Sequence, residues 1–351
     1  MSGVPSVGSA TWLPRNGARY RAAVVGAGSW GTAFARHLVR CGLDTMLLAR
    51  RAAQAEAIAR DHRNPDYLRA LVLPLDLESG VYPQCDFSSI DLLVMAVPSK
   101  GYADVVRALA GRLPTGLGVL SLTKGVEPGT LRRFSQVLAD CWGGIHPHVA
   151  VLSGPNHAEE VAEDEPTATV IASLDQDYAC RLQQLLSSET FRPYVNHDLV
   201  GVELASAVKN VIAVAVGAAD GLGCRDNARA ALMTRGLAEM ARLGQALGAD
   251  PLTFSGLAGM GDLVVTCTSR HSRNRRAGEL IAHGHSPAEV EREMGMVAEG
   301  LTAAPAILKL AQSLGVEMPI TEIIVAVVYL GKDPRAAVRE LMARQTRPER
   351  A

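Results

Sequence analysis

Short apolar runs alternate with helix-periodic stretches through the first half of the chain. Arg21 to Val25 is a β-type run that ends in glycines, and Thr32 to Cys41 reads as a helix closed by Gly42. Thr45 to Ala49, Asp91 to Val97, Val119 to Leu122, Val149 to Leu152 and Thr167 to Ile171 are further short apolar runs. Brief apolar strands separated by helical stretches predict βαβ units and a mostly parallel sheet. From about Gly201 the period changes. ELASAVKNVIAVAVGAAD, NARAALMTRGLAEMARLGQALG, GLTAAPAILKLAQSLG and ITEIIVAVVYLG are long, Ala/Leu-rich and helix-periodic, with Leu237, Met240, Ala241 and Leu243 on one face. Gly248, Gly315 and Gly331 stand where helices end. The prediction is an α/β chain: a Rossmann-type dinucleotide-binding domain over residues 20–205, then an all-helical substrate domain over residues 206–345. Residues 1–19 are expected to form a flexible extension outside the fold.

Composition narrows the function classes. With 35 Lys+Arg against 36 Asp+Glu the 351-residue chain has a formal charge of −1, which lacks the basic signature of a nucleic-acid or membrane-surface binder. Aromatic residues are only 4%, too few for base-stacking platforms. An anionic ligand must therefore be held by a local cluster. Cys41, Cys85, Cys141, Cys180, Cys224 and Cys267 are scattered without a C-x-x-C pair, which suggests reduced thiols in a cytosol. The apolar run Asn210 to Ala219 is bounded by Lys209 and Asp220 and falls short of the ~20 residues a bilayer span needs. The first residues lack the continuous apolar core of a signal peptide.

GAGSWG places Gly26, Gly28 and Gly31 in G-x-G-x-x-G spacing, after the first strand and opening a helix. In a dinucleotide site the first glycine permits the tight turn, the second lets backbone approach a pyrophosphate, and the third lets helix and strand pack closely. An ordinary glycine-rich turn is the alternative. The second strand ends in Arg50 and Arg51, where an acidic residue would bind an NAD ribose. A guanidinium there can pair with a 2′-phosphate, so the sequence leans towards NADPH, with NADH possible; two solvated arginines are the plainer reading.

Lys209 lies in an otherwise apolar helix. Either burial lowers its pKa and fits it for proton transfer, or it snorkels to solvent from a domain boundary. Lys124 follows the fourth strand, at the end where open α/β sheets bind ligands. In GLAGMGDLVVTCTSRHSRNRR, Gly259, Gly261 and Asp262 are expected to make a turn before an apolar run. Arg270, Arg273, Arg275 and Arg276 then concentrate positive charge beside Ser272 and Asn274, which suits a small phosphate ester. The pairs His146/His148 and His283/His285 have no carboxylate or cysteine partner at metal-ligand spacing, so no metal is expected.

Together these strings resemble the soluble NAD(P)-dependent glycerol-3-phosphate dehydrogenases of bacteria. The matching segments are GAGSWGTAFA, AVPS, SLTKG, SGPNHAEEV, GVELASAVKNVIA, GLGCRDNARAALMTRGLAEMARLGQALGAD, GLAGMGDLVVTCTSRHSRNRR, VAEG and GVEMPITE, running from about residue 21 to 341. The resemblance implies that Lys209 is the proton donor and acceptor, that Lys124 contacts both substrate and cofactor, and that Asp262 lies in the substrate site. It places Gly154, Asn156, Ser272, Arg273 and Asn274 on the phosphorylated substrate, with Arg273 also near the nucleotide. It places Ser29, Trp30, Arg50, Arg51, Tyr67, Ala158, Val297 and Glu299 on the cofactor. Asn156-His157 departs from the commoner Ser/Thr-Phe of that motif.

The activity so implied is reversible NAD(P)H-dependent reduction of dihydroxyacetone phosphate to sn-glycerol 3-phosphate. The scattered thiols point to the cytoplasm, and the apolar surface expected of the helical half points to a homodimer. Nucleic acid and stable membrane insertion are not expected. A β-hydroxyacid dehydrogenase of similar build would take a carboxylate without phosphate. A dinucleotide-binding redox sensor would lack turnover.

Overall fold

The protein is described by a computed structural model that covers residues 12–15, 19–127, 130, 132–143, 148–295 and 297–344. One sheet has eight strands: β1 (Arg21–Val25), β2 (Asp44–Ala49), β3 (Glu78–Val81), β4 (Leu92–Met95), β5 (Gly118–Ser121), β6 (His148–Ser153), β7 (Thr167–Ser173) and β8 (Phe191–Asn196). Their order is β3-β2-β1-β4-β5-β6-β7-β8. The pairs β2/β3, β1/β2, β1/β4, β4/β5, β5/β6 and β7/β8 are parallel. The order reverses between β1 and β4, the switch point at which open α/β sheets bind ligands. β4 and β5 are buried along their whole length, which is why they read as unbroken apolar runs.

Two strands escape the apolar pattern. β3, ESGV, is a short edge strand with a glutamate and a glycine, and none of its residues is fully buried. β8, FRPYVN, is the other edge and carries Pro193, a residue that sheets tolerate at edges because no ladder donor is lost there.

The chain divides into two compact units: Met1–Thr123, Ser135–Leu152 and His157–Leu199 make one, and Lys124–Phe134, Ser153–Asn156 and Val200–Ala351 make the other. The last change of unit falls between Leu199 and Val200, at the start of the helix Leu199–Gly221 and a few residues before the boundary expected near 205. The two short earlier segments, 124–134 and 153–156, belong with the helical unit, which the change of period gave no means of seeing.

The extension expected to lie outside the fold is corrected at its described residues. Trp12 is buried, its ring 4.6 Å from that of Tyr20 and 4.9 Å from that of Tyr178, and its Nε1 donates to the Asp91 carbonyl. A large apolar ring gains most by covering the sheet unit's core. Arg15 extends this, its backbone N–H donating to Asp91 Oδ1 at 2.8 Å.

In the helical unit the helices Leu199–Gly221, Asp226–Ala246, Glu299–Ser313 and Pro319–Leu330 form where the period predicted them. Gly248, Gly315 and Gly331 all take positive φ at helix ends. The 23-residue helix Leu199–Gly221 is long and apolar enough to cross a membrane, and it is buried in the unit's core. Its approach to the helix Arg273–Ala282 is set by glycines. A Cβ on Gly217 would stand 1.8 Å from the Arg275 carbonyl oxygen, and one on Gly278 would stand 2.1 Å from that of Val214.

Candidate active site

The glycine loop occupies the junction between β1 and the helix Ser29–Arg40. Gly26 has φ +115°, and a Cβ on it would meet the Ala96 carbonyl oxygen at 2.4 Å. Gly31 is tighter, since its Cβ would lie 1.8 Å from the Gly26 carbonyl oxygen. Both glycines are therefore required by the fold itself. Gly28 differs: a Cβ there would meet nothing within 4 Å, so the missing side chain leaves room that the described chain does not use. Nearby, Trp30 buries an Nε1–H that has no hydrogen-bond partner among the described residues. An open cradle and an unanswered donor at a helix N-terminus fit a dinucleotide.

Side chains not singled out in the sequence hold this loop. The Ala27 carbonyl accepts from Gln54 Nε2 at 2.9 Å and from Asn64 Nδ2 at 3.0 Å. Asn64 also donates to Thr32 Oγ1 at 2.8 Å, and its Oδ1 accepts the backbone N–H groups of Asp66 and Tyr67. Gln54, Asn64 and Thr32 are all buried. Two amide donors fix the Ala27 carbonyl. Only their burial, unusual for uncharged amides, marks them, and burial is not readable from one sequence.

The other expected cofactor residues of the sheet unit are brought close to this loop to differing degrees. Ala158 opens the helix Ala158–Ala162 and packs with Ala33 and Trp30, while His157 occupies that helix's N-cap position. Tyr67 is half-buried, with its backbone tied to Asn64. Ser29 begins the helix that follows Gly28. Arg50 and Arg51 are exposed after β2, and Arg51 pairs with Asp66.

The helical unit holds a second centre. Lys209 is 4% exposed and Asp262 is 1% exposed. Lys209 Nζ donates to Asp262 Oδ1 at 2.5 Å and to Thr266 Oγ1 at 2.7 Å. Lys124 Nζ donates to Asp262 Oδ2 at 3.0 Å, to Asn156 Oδ1 at 3.0 Å and to the Gly154 carbonyl at 3.2 Å. All three ammonium hydrogens of Lys124 are thus occupied. Lys209 keeps one N–H with no partner among the described residues, so it is the lysine able to reach a further oxygen.

Electrostatics separates the lysines further. Two ammonium groups share one carboxylate, which leaves a net positive charge in a buried place. Burial pushes the Lys209 ammonium down, Asp262 restores part of the loss and Lys124 repels it, leaving its pKa at about 8. For Asp262, burial acts upward but the Lys124 and Lys209 charges outweigh it and hold the carboxyl below its ordinary value. The snorkelling alternative for Lys209 is excluded by its burial.

Asp262 does not follow a simple turn, as its glycines suggested. Leu257–Gly261 form one turn of π-helix that runs straight into the helix Asp262–Thr268. A Cβ on Gly259 would lie 2.1 Å from the Phe254 carbonyl oxygen, so the wide turn closes only over glycine. Such π-turns recur at functional sites because they shift a side chain's register on the helix.

The expected phosphate cluster is also revised. Arg275 pairs with Asp220 and Glu279, and Arg276 with Glu279 and Glu293. These carboxylates, some distant in sequence, neutralise what reads as a positive run. Arg270 lies beside His271. Arg273 is exposed in the first turn of the helix Arg273–Ala282, and Ser272 caps that helix by accepting from the Arg275 N–H. Asn274 is buried as a clamp: its Nδ2 donates to Asn210 Oδ1 at 2.9 Å and its Oδ1 accepts the Gly300 N–H at 2.8 Å. The clamp anchors that helix beside Lys209 in sequence. Val297 precedes, and Glu299 begins, the helix Glu299–Ser313.

Two of the paired histidines have partners in the fold. His148 pairs with Asp175, and His285 pairs with Glu293 and the Leu280 carbonyl, while His146 lies outside the described residues.

A fingerprinted parallel sheet and a buried lysine–carboxylate–lysine centre define a dinucleotide-dependent dehydrogenase as the class of protein. Comparison with known proteins then specifies it. Residues 21–179 match the family model for the NAD-dependent glycerol-3-phosphate dehydrogenase N-terminus, and residues 198–339 match the model for its C-terminus. The chain belongs to this family of NAD-dependent glycerol-3-phosphate dehydrogenases. Glycerol-3-phosphate dehydrogenase [NAD(P)+] 1 of Salinibacter ruber is 48% identical over 329 residues, covering 92% of this chain and 95% of that protein. The crystal structure of glycerol-3-phosphate dehydrogenase from Coxiella burnetii superposes with a TM-score of 0.89 at 36% identity, over 93% of this chain and 99% of that one. A ketopantoate reductase from Ralstonia eutropha, 17% identical with a TM-score of 0.59 over 91% of this chain and 99% of that one, shares the fold alone.

Proposed function

We propose that the protein catalyses the reversible reduction of dihydroxyacetone phosphate to sn-glycerol 3-phosphate with NADPH or NADH, supplying the backbone of glycerophospholipids. Beyond family membership, the observation that carries this reading is the buried Lys124–Asp262–Lys209 centre, with one lysine fully occupied and the other holding an N–H that has no partner among the described residues and a pKa of about 8. When bound, the reduced nicotinamide supplies the hydride. The chain's own residues bind and orient the ketone, keep water out and move one proton.

Protonated Lys209 donates that proton to the C2 oxygen as alkoxide charge develops, and takes it back in the alcohol-oxidising direction. A group whose pKa lies near the working pH serves both directions. Asp262 fixes the ammonium's orientation, and Thr266 accepts a second of its hydrogens. Lys124 acts through its charge, which repels the proton on Lys209 and favours an anionic oxygen nearby. Asn156 holds Lys124, so the departure from Ser/Thr preserves an acceptor at that position. Ser272 and Arg273, at a helix N-terminus, bind the substrate phosphate by charge and dipole. Gly154, Asn156 and Asn274 complete the substrate side. In the sheet unit the residues assigned to the cofactor are Gly26, Gly28, Ser29, Trp30, Gly31, Arg50, Arg51, Tyr67 and Ala158; in the helical unit the family resemblance assigns Lys124, Arg273, Val297 and Glu299 to it. Exposed apolar side chains such as Leu252, Val264 and Leu330 support a homodimer, and the free state of all six cysteines supports a reducing cytoplasm.

The test is a steady-state assay of the purified full chain with dihydroxyacetone phosphate and each reduced cofactor. Turnover of the phosphorylated ketone, with little for dihydroxyacetone lacking phosphate, is the expected result. Reduction of ketopantoate in preference to dihydroxyacetone phosphate would replace this reading with the carboxylate-substrate alternative.

A further inference from the structure

The end of β2 presents two arginines that the structure treats differently. Arg51 donates from Nη2 to Oδ2 of Asp66, while Arg50, also exposed, has no ion-pair partner among the described residues. Asp66 is not an arbitrary surface carboxylate. Its backbone N–H is held by Asn64 Oδ1 at 3.1 Å, and Asn64, 1% exposed, is itself anchored to the Ala27 carbonyl and Thr32 Oγ1. The counter-ion of Arg51 therefore rides on the network that fixes the glycine loop.

We infer that Asp66 is a specificity-determining residue for the cofactor: it occupies Arg51, so that Arg50 alone offers an uncommitted guanidinium to a 2′-phosphate. This rests on the proposed reading of the β2 end as the adenosine-ribose subsite. A 2′-phosphate that engages Arg51 must displace a carboxylate and approach its negative charge, whereas the uncharged 2′-hydroxyl of NADH meets neither obstacle. An exposed carboxylate–guanidinium pair is weak, and a phosphate can bind a guanidinium through two charge-assisted bonds. Asp66 thus narrows the margin for NADPH without closing the site to it, which suits a protein that uses both cofactors.

The experiment compares kcat/KM for NADPH with kcat/KM for NADH in the full-length protein, using each preparation as its own reference. Asp66→Asn keeps the shape and the backbone bond to Asn64 and removes the charge; Asp66→Ser is the second variant should the first fold poorly. The NADPH/NADH ratio is expected to rise about tenfold at low ionic strength and to rise less at high salt. Adding Arg51→Ala to Asp66→Asn is expected to abolish most of that rise. An equal rise in the double variant overturns the inference, because Asp66 would then act by its field on the phosphate and not through Arg51. An unchanged ratio for Asp66→Asn, alongside a fall for Arg50→Ala, overturns it while leaving the subsite reading intact. Ratios unmoved by Arg50→Ala, Arg51→Ala and Asp66→Asn alike remove the subsite reading itself.

Discussion

In the sheet unit the glycine loop is made by the consecutive residues Gly26 to Gly31, whereas in the helical unit the lysine–carboxylate centre is assembled from Lys124, Gly154, Asn156, Lys209, Asp262 and Thr266. The difference follows from the chemistry required. A pyrophosphate is cradled by neighbouring backbone N–H groups, which one turn can supply. A buried proton donor needs an opposite charge and a like charge at set distances, and no single turn places three ionised groups around one point. Backbone sites are therefore local in sequence. Charge-tuned sites are not.

The largest expected effect probes the second kind. Lys209→Ala should lower kcat by about 10³-fold, in the range attributed to a positioned general acid, with cofactor affinity little changed. Turnover within a few-fold of the parent protein would take Lys209 out of the mechanism. Asp262→Asn should lower kcat by about 10²-fold and also move the pH profile. The parent's ketone reduction needs the protonated ammonium, so its rate should fall above pH about 8, while alcohol oxidation rises up to that pH. With the carboxylate gone, burial and Lys124 both still depress Lys209, so the bend should shift to lower pH. A bend that stayed in place would mean that it reports another group.

A glycine pair tests the first kind of site. Gly31→Ala drives a Cβ into the Gly26 carbonyl and should cost about 3 kcal/mol or more of stability. Gly28→Ala meets nothing in the chain, so its melting temperature should hold while KM for either cofactor rises about tenfold, equivalent to about 1.4 kcal/mol. Equal melting losses in the two variants would refute the assignment of Gly28 to a ligand and of Gly31 to packing.

The smallest expected effect lies away from both centres. Glu239 is buried, accepts the Ile320 N–H at 2.6 Å and the Thr321 N–H at 3.3 Å, and burial raises its carboxyl to about 7. A carboxyl whose folded pKa exceeds its ordinary 4.5 binds more protons folded than unfolded between those values, so its contribution to stability declines as pH rises from about 4.5 to 7. Glu239→Gln should flatten that part of the melting profile by an amount on the order of 1 kcal/mol. Parallel profiles for the two proteins would show that the group does not titrate there.

What was legible in the sequence follows the same division. The Rossmann-type sheet, the helical half and the glycine loop are written in local spacing, and six of the eight strands stand out as apolar runs. β3 and β8 do not, because edge strands need no two-sided burial and carry Glu78, Gly80, Arg192 and Pro193. Position and pattern singled out Lys209, Lys124 and Asp262 and the family resemblance gave them roles, but their unequal hydrogen bonding depends on Thr266 and Asn156, which only the folded chain brings into range. The arginine run misled for a related reason. Asp220 and Glu293 neutralise Arg275 and Arg276 from other helices.

The short segments 124–134 and 153–156 give the protein an order of events during synthesis. Lys124 leaves the ribosome 138 residues ahead of Asp262, the carboxylate that will neutralise it. The backbone enters and leaves the helical unit twice before Leu199 is reached. A fragment cut at that residue would carry Lys209 and Asp262 without Lys124, Gly154 or Asn156, and so would have a carboxylate with one lysine where the whole chain has two. Neither half is an exchangeable module, and grafting the helical unit onto another sheet would require transplanting two loops along with it.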